Sequence, residues 1–512
     1  MSKLSSKELF SLIKTLSKSE KRYFKVTALN RAKKEDINYI TLFDVLDKLK
    51  EYDDKVIRAK TKSIKPHLLP KYKYFLHELI FKSLRAYHSN SSIDAKLKDL
   101  LQNIELCFER RLYKQCEKII GKAKQLAVKY EKHITLFELS GWEIQLIRVQ
   151  SFQGKSEGVI KEFYEEAFSM INKCINEKEY EQLSIKMFMQ INKIGFTRSN
   201  ADLKVYKDIL RHPLLDTSPK ILSFQALYNY YTIYGGCFFI QNDFTNACFY
   251  TQKLVELLEN NPHQLKEKLQ VYVTVLNNLT VCQSNLKKYK EMTLTLKKLK
   301  EIPERFSAAS KNINSLIFYH SNNEELNMYL NTGEFDKGIK LITSIEHDLT
   351  GMKLSKVQQS FLHYNISCVY FGVGNYRETR SYLNKIINDT AVDVRGDIYC
   401  MARIVLLIVH YELGNEELLE YMEKSAHHYL DKKNRLYKVE TAILDFIKRK
   451  LPKIVTGNER IAAFKELKTD LEEITKAPFE KKALEYFDFI SWLESKIYNR
   501  PFAEIVKKKA SR

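Results

Sequence analysis

Five short corners recur along the second half of this sequence at nearly constant spacing. Asn242-Asp243-Phe244, Lys287-Lys288-Tyr289, Gly333-Glu334-Phe335, Gly374-Asn375-Tyr376 and Gly414-Asn415-Glu416 each follow an apolar stretch and open an amphipathic one. Their last residues lie 45, 46, 41 and 40 positions apart. A repeat of ~20 to 50 residues is a supersecondary unit that buries its apolar face only by stacking on the next copy. The clearest copy is 363–389, HYNISCVYFGVGNYRETRSYLNKIIND, with a Tyr-rich apolar helix, a Gly-Asn-Tyr turn and an amphipathic return helix.

Composition agrees with helices. The 512 residues are 44% hydrophobic and 29% charged with only 15 Gly and 9 Pro, too apolar for a disordered chain and too sparsely punctuated for a sheet protein. The longest aliphatic run, Ile404 to Val409, is far short of the ~18 to 20 residues of a spanning helix. The opening MSKLSSKELFSLIKTLSKSEK lacks the apolar core of a signal peptide. The eight Cys (107, 116, 174, 237, 248, 282, 368, 400) contain no C-x-x-C pair and lie mostly in apolar helical stretches, as reduced, buried thiols would. A soluble cytoplasmic protein without membrane insertion is expected.

Three regions follow. Residues 1–93 form a basic N-terminal helical region. Capping boxes Ser5/Glu8 and Ser17/Glu20 open helices near 6–16 and 18–29. A third helix, from about Ile37, places Leu42, Phe43, Leu46 and Leu49 on one face. The basic link KVIRAKTKSIKPHLLP, with Pro66 and Pro70, leads to a helix carrying Phe75, Leu76, Leu79, Ile80 and Leu84. Residues 94–436 read as an array of antiparallel helix pairs, beginning with Leu97, Leu101, Ile104 and Phe108, the corner Arg110 to Tyr113, and Cys116, Ile119, Ile120 and Ala123. Within it, 134–225 suggests helices around Trp142, 164–171, 187–194 and 206–210, closed by Pro213 and Pro219. Residues 437–512 read as a C-terminal helical cap, with helices near 444–447, 464–474 and 484–492 and a solvated end at Lys507-Lys508-Lys509.

The repeated units resemble the tetratricopeptide-repeat family. One match is Tyr231, Tyr234-Gly235, Phe238, Phe244, Ala247, Leu254 and Pro262; a second is Leu276, Leu279, Tyr289, Leu296, Leu299 and Pro303. The third is Ile366-Ser367, Tyr370, Gly374, Tyr376, Thr379, Leu383 and Ile386. The period exceeds the family's 34 residues, and Met292 and Leu419 stand where that pattern has a small side chain. The resemblance implies an all-α, tetratricopeptide-like α-solenoid and a concave surface for a protein or peptide partner. As a whole, and in its opening LSKSEKRYFK, the chain also resembles helical-repeat proteins of Bacteroidota to which no activity is attached.

Motifs of chemistry are incomplete. Gln153-Gly154-Lys155-Ser156 imitates the end of a phosphate-binding loop, but Val149 occupies the position of its first Gly and no strand precedes it; a helix-ending Gly and an N-cap Ser explain it. His77-Glu78 lacks a second His, since Phe81 stands four residues on. His427-His428 lies near a predicted helix end, where cations favour the dipole. With no nucleophile elbow and no local Cys-His signature, no catalytic, cofactor or metal residues are assigned, and a non-enzymatic scaffold or adaptor is expected. Under the resemblance, Asn277, Asn285, Asn323, Asn327 and Tyr364 would face the concave surface, where Asn amides suit both donors and acceptors of a peptide backbone.

The alternative is a nucleic-acid-associated regulator. The net charge is +21, and residues 1–100 hold 23 Lys/Arg against 12 Asp/Glu. The two N-terminal helices, joined at Leu16-Ser17-Lys18, invite comparison with a helix-turn-helix whose Lys18, Lys21, Arg22 and Lys25 would contact phosphates beside Tyr23 and Phe24.

Overall fold

The computed structural model describes residues 6–29, 36–89, 92–194, 200–215, 220–306, 311–349, 351–389, 396–433, 435–477 and 480–511. Among them the chain is all-α, with twenty-six α-helices and no strand. It divides into two compact units, Met1–Asn176 and Glu177–Arg512. Ser5 and Pro219 lie outside the described residues.

The first unit opens with α1 (Ser6–Thr15), α2 (Lys18–Leu29), α3 (Asp36–Lys48), α4 (Asp54–Lys60) and α5 (Leu69–Tyr87). They close on Leu9, Ile13, Phe24, Leu42, Phe43, Leu46, Leu76 and Ile80. At the start of α2 the Ser17/Glu20 box is complete: Glu20 N–H donates to Ser17 Oγ (3.2 Å), and Ser17 N–H donates to Glu20 Oε2 (2.7 Å). Then come α6 (Ile93–Glu109), α7 (Tyr113–Lys129), α8 (His133–Val149) and the long α9 (Glu157–Ile194), whose residues from Glu177 on belong to the second unit. Segments 164–171 and 187–194, expected as separate helices, are parts of this single helix of 38 residues, because no Gly or Pro interrupts the chain between Gly158 and Gly195. Before it, Gly154 turns with φ 72°, and Ser156 Oγ accepts from Val159 N–H at 3.4 Å, so the phosphate-loop mimic is a turn and a cap.

The second unit continues through α10 (Asn200–Leu210), α11 (Phe224–Ile240), α12 (Phe244–Glu259), the short α13 (Pro262–Glu267), α14 (Leu269–Asn285), α15 (Tyr289–Arg305), α16 (Lys311–Thr332) and α17 (Phe335–Leu349). It goes on with α18 (Lys356–Gly372), α19 (Tyr376–Ile387), α20 (Gly396–Glu412) and α21 (Glu416–Lys432). Packing follows a rule: the two helices of a hairpin pack together, α12, α15, α17 and α19 pack on the helix that follows, and α14, α16, α18 and α20 pack on one another in succession.

One corner geometry serves both units. Arg111, Glu131, Asn242, Lys287, Gly333, Gly374 and Gly414 all have positive φ, between 51° and 79°. In each case the next N–H donates to the carbonyl five residues back, as Leu112 to Cys107, Lys288 to Gln283 and Asn375 to Tyr370, at 2.8 to 3.0 Å across the seven corners. This Schellman closure satisfies carbonyls orphaned at the helix end. The following helix starts two residues after the positive-φ residue, at Tyr113, His133, Phe244, Tyr289, Phe335, Tyr376 and Glu416. Three residues further on, Ala247, Met292, Gly338, Thr379 and Leu419 are all buried. The position therefore faces a neighbour whatever its size; at Gly338 an added Cβ would stand 2.8 Å from Val369 Cγ1.

Charge separates by helix. α11 and α14 contain no Asp, Glu, Lys or Arg, and α18 has only Lys356, whereas the return helix α15 carries eight such residues. The first helices thus lie between neighbours and shed charge, because an ionised group leaving water there would need a partner.

The chain ends with α22 (Lys438–Asp445), α23 (Gly457–Ile474), α24 (Ala483–Tyr486), α25 (Phe489–Tyr498) and α26 (Phe502–Ala510). These helices fold back on the array. Phe371 of α18 meets Phe487 (4.9 Å between centroids) and Phe502 (5.4 Å), and Trp492 Nε1–H donates to Glu412 Oε1 at 2.7 Å. Lys507 and Lys508 of the Lys507-Lys508-Lys509 end are exposed, but the helix that carries them is docked: Ile505 and Val506 are buried, the half-buried Lys509 pairs with Glu494 (2.9 Å), and the backbone of Lys507 lies against Gly333.

Candidate interaction surface

The five candidate surface residues fall on α14, α16 and α18 and divide into three environments. Asn285 is exposed, its Nδ2–H donating to Val281 O at 2.9 Å. Asn277 is half-buried, with Oδ1 sealed from solvent and no hydrogen-bond donor on it among the described residues. Both stand on a charge-free helix whose exposed positions, Gln270, Thr274, Asn278 and Asn285, are amides and a hydroxyl at helical spacing. Neutral groups of this kind meet both the N–H and the C=O of an extended chain without the cost of desolvating an ion.

Asn323 and Asn327 are brought together on a residue the sequence reading passed over. Glu324 is only 8% exposed; its Oε1 accepts from Asn323 Nδ2–H at 3.2 Å, and Asn327 adds a further side-chain hydrogen bond. Asn323 Oδ1 in turn accepts from Asn365 Nδ2–H of α18 at 3.1 Å. Burial pushes the Glu324 carboxyl up to about 7, against the opposite pull of the two amides. Glu324 Oε2 has no partner among the described residues. Nearby in sequence, burial holds His320 down at about 4, and His363 of α18 likewise, so both rings are neutral at pH 7. The signal in the sequence was periodicity: Ile317, Ser321, Glu324 and Met328 recur at helical spacing, and all four are buried.

Tyr364 occupies the third environment. It is 2% exposed, belongs to the core shared by α18, α20 and the C-terminal helices, and donates its hydroxyl to Tyr486 O at 3.3 Å. Burial raises its phenol well above the usual range. Under this structure Tyr364 is a core residue, since the C-terminal segment covers the side of α18 that it occupies.

The four N-terminal cations also differ. Lys21 pairs with Asp47 and Lys25 with Asp44, each at 2.6 Å, both carboxylates on α3, while Lys18 and Arg22 are exposed. Tyr23 stacks edge-on to Tyr87 of α5 at 5.1 Å, and Phe24 is buried against Phe43. Half of the expected phosphate contacts are thus engaged in holding α2 on α3, and the rings serve packing.

All eight cysteines are free thiols. Burial raises Cys237, Cys282 and Cys368 to about 12, so these are inert apolar side chains rather than nucleophiles. No described helix is long and apolar enough to cross a membrane. No family model matches the chain, and no curated protein matches it.

Proposed function

We propose that this chain is a non-enzymatic, cytoplasmic scaffold or adaptor whose helix pairs form a tetratricopeptide-like α-solenoid and bind a protein or peptide along their first helices. The observation that carries the reading is charge segregation: in a chain that is 29% charged, α11 and α14 hold no ionisable Asp, Glu, Lys or Arg, and the open edge of α14 is Gln270, Thr274, Asn278 and Asn285. A solvated helix with no binding task gains solubility from charge there. An edge of amides suits a peptide main chain, with side-chain pockets supplying selectivity. The eight free thiols support a reducing compartment.

The expected groove is narrower than the five residues suggested. Asn285 belongs to the exposed edge, Asn277 stands half-buried beside it, and Asn323 and Asn327 are engaged with the buried Glu324. Peptides selected from a random library on the full chain would be titrated calorimetrically against Gln270→Ala/Asn278→Ala/Asn285→Ala. The reading expects selected peptides to lose tenfold or more in affinity. Selection of peptides that all bind the triple variant unchanged would remove the assignment to α14.

A further inference from the structure

Between Asp54 and Asp94 the sequence holds nine Lys or Arg and one carboxylate, Glu78. Among the described residues only two of the nine are in ion pairs, Arg58 and Lys73, both with Asp54 at 2.9 Å. Lys60, Lys62, Lys65, Lys71, Lys82 and Arg85 are exposed, with no carboxylate in ion-pair range among the described residues. This contrasts with α2, where Lys21 and Lys25 are tied to α3. The uncompensated charge of the N-terminal region is therefore concentrated on α5 and on the segment that enters it.

The outward face of α5 has an order that simple solvation does not call for. Its exposed positions include Lys71, Tyr74, Phe75, Glu78, Phe81, Lys82 and Arg85, at intervals of three and four, so they share one face. The opposite face, with Leu69, Leu76 and Ile80, is in the core. At ~100° per residue the three cations run along the crest with the one carboxylate, Glu78, among them, Tyr74 and Phe81 on one shoulder and Phe75 on the other. The rings are 36%, 37% and 41% exposed respectively, open enough to take a flat partner. Lys71 Nζ stands 5.9 Å from the centroid of Phe75, and His77 lies edge-on to Phe81 at 4.7 Å, so neighbours support two of the rings.

A crest of cations flanked by open rings matches a polyanion whose flat groups hang to either side. We propose that α5 and the preceding basic segment bind single-stranded nucleic acid, phosphates along Lys71, Lys82 and Arg85 and bases stacked on Tyr74, Phe75 and Phe81. Bases in a duplex are stacked on each other and do not reach such rings. A helix lying in a membrane surface sinks a continuous apolar face, and that face of α5 is already in the protein core. An acidic amphipathic helix would press its apolar ridge onto the crest, which is charged. The inference is independent of the peptide-binding reading of the second unit.

The test is fluorescence anisotropy of labelled 20-nucleotide oligouridylate and oligothymidylate with the full chain. For six phosphate contacts on a single strand the log-log salt slope is about −4, so affinity falls roughly 300-fold between 50 and 200 mM salt. Lys71→Gln/Lys82→Gln/Arg85→Gln should flatten that slope by about 2. Tyr74→Ala/Phe75→Ala should weaken binding about tenfold or more with the slope retained. Lys48→Gln/Lys50→Gln/Lys114→Gln, which removes the same charge from exposed sites outside α5 and the basic segment before it, should leave the slope unchanged. Circular dichroism verifies that each variant is folded. Four results would overturn the proposal: no binding of either oligonucleotide at 50 mM salt, equal losses in both charge triples, a duplex bound as tightly as the single strand, or binding of phosphatidylserine vesicles without binding of oligonucleotide.

Discussion

Four of the seven Schellman corners place a residue with a Cβ where Gly would be unstrained, and the three glycine corners supply matched controls. A side chain in the left-handed region costs about 1–2 kcal/mol. Gly374, at φ 79°, has no heavy atom within 4 Å of where a Cβ would stand, so Gly374→Ala isolates the backbone penalty. We expect a loss of about 1 kcal/mol, the lower end because Ala also stiffens the unfolded chain. Lys287, at φ 56°, is the converse: Lys287→Gly releases the strain, and after the extra entropy of an unfolded Gly a gain of about 0.5 kcal/mol remains. Gly333→Ala combines the same backbone penalty with a steric one, since its Cβ would stand 2.6 Å from Lys507 N and 2.9 Å from Lys507 Cα, both main-chain atoms. Native-state hydrogen exchange reads each corner locally, because amides report the opening of their own segment. The Asn375 amide should exchange roughly fivefold faster in Gly374→Ala and the Lys288 amide roughly twofold more slowly in Lys287→Gly, from the ~1.4 kcal/mol per decade conversion. Gly333→Ala should exceed both and also accelerate exchange in α26. Unchanged exchange in Gly374→Ala, or faster exchange in Lys287→Gly, would refute the claim that positive φ governs these corners.

Glu324 predicts a pH dependence. Its folded value of about 7 lies above its ordinary value of 4.5, so the folded state keeps the proton longer; the contribution is fully present below pH 4.5 and is lost as pH rises towards and through 7. Glu324→Gln should remove that slope and be the more stable protein at pH 8, by at most about 3 kcal/mol, read as a urea midpoint at pH 5 and pH 8. Trp492→Ala deletes a side chain that is 3% exposed and bonded to Glu412, a loss of about 3–5 kcal/mol; limited trypsin digestion should then cut first near Lys481-Lys482, and an unchanged digestion pattern would contradict the packing of α25. Ser17→Ala should cost about 1 kcal/mol through the start of α2, seen as faster exchange of the Glu20 amide. Iodoacetamide at pH 8 should add no more than three adducts to the native chain, because Cys116, Cys237, Cys282, Cys368 and Cys400 are buried, and eight after unfolding; a fourth native adduct would show that one of these helices opens readily.

The sequence revealed the corners because they rest on local chemistry. A Gly or Asn at the turn or an aromatic just after it, between two apolar stretches, marks both the end of one helix and the start of the next, and Phe244, Tyr289, Phe335, Tyr376 and Glu416 each begin a helix. Glu131 escaped notice because its corner, Glu131-Lys132-His133, has neither a Gly or Asn nor a Phe or Tyr, although its backbone adopts the same turn. The continuity of α9 was hidden by its composition: a helix whose apolar positions drift around its circumference reads as two short ones. The surface residues were harder still. Periodicity places Tyr364 on a face of α18, but whether that face is open depends on residues more than a hundred positions later. Glu324 and Glu325 are chemically identical neighbours, and only the packing of α16 decides that the first is buried and the second half-exposed.

The return of the C-terminal helices has a consequence for the order in which the protein can be made. The hairpins close over short stretches of chain and can form as soon as they leave the ribosome, whereas Tyr364 and Tyr486 are separated by 122 positions, Asp397 and Tyr486 by 89, and Glu412 and Trp492 by 80. A nascent chain therefore carries α16, α18 and α20 with Phe371 and Gly333 uncovered until Phe487, Phe502 and Lys507 arrive. During that interval an apolar flank is open to chaperones and to other nascent copies. A frameshift just before the codon of Ala483 would prolong this exposure indefinitely, leaving an otherwise well-formed row of hairpins prone to aggregation.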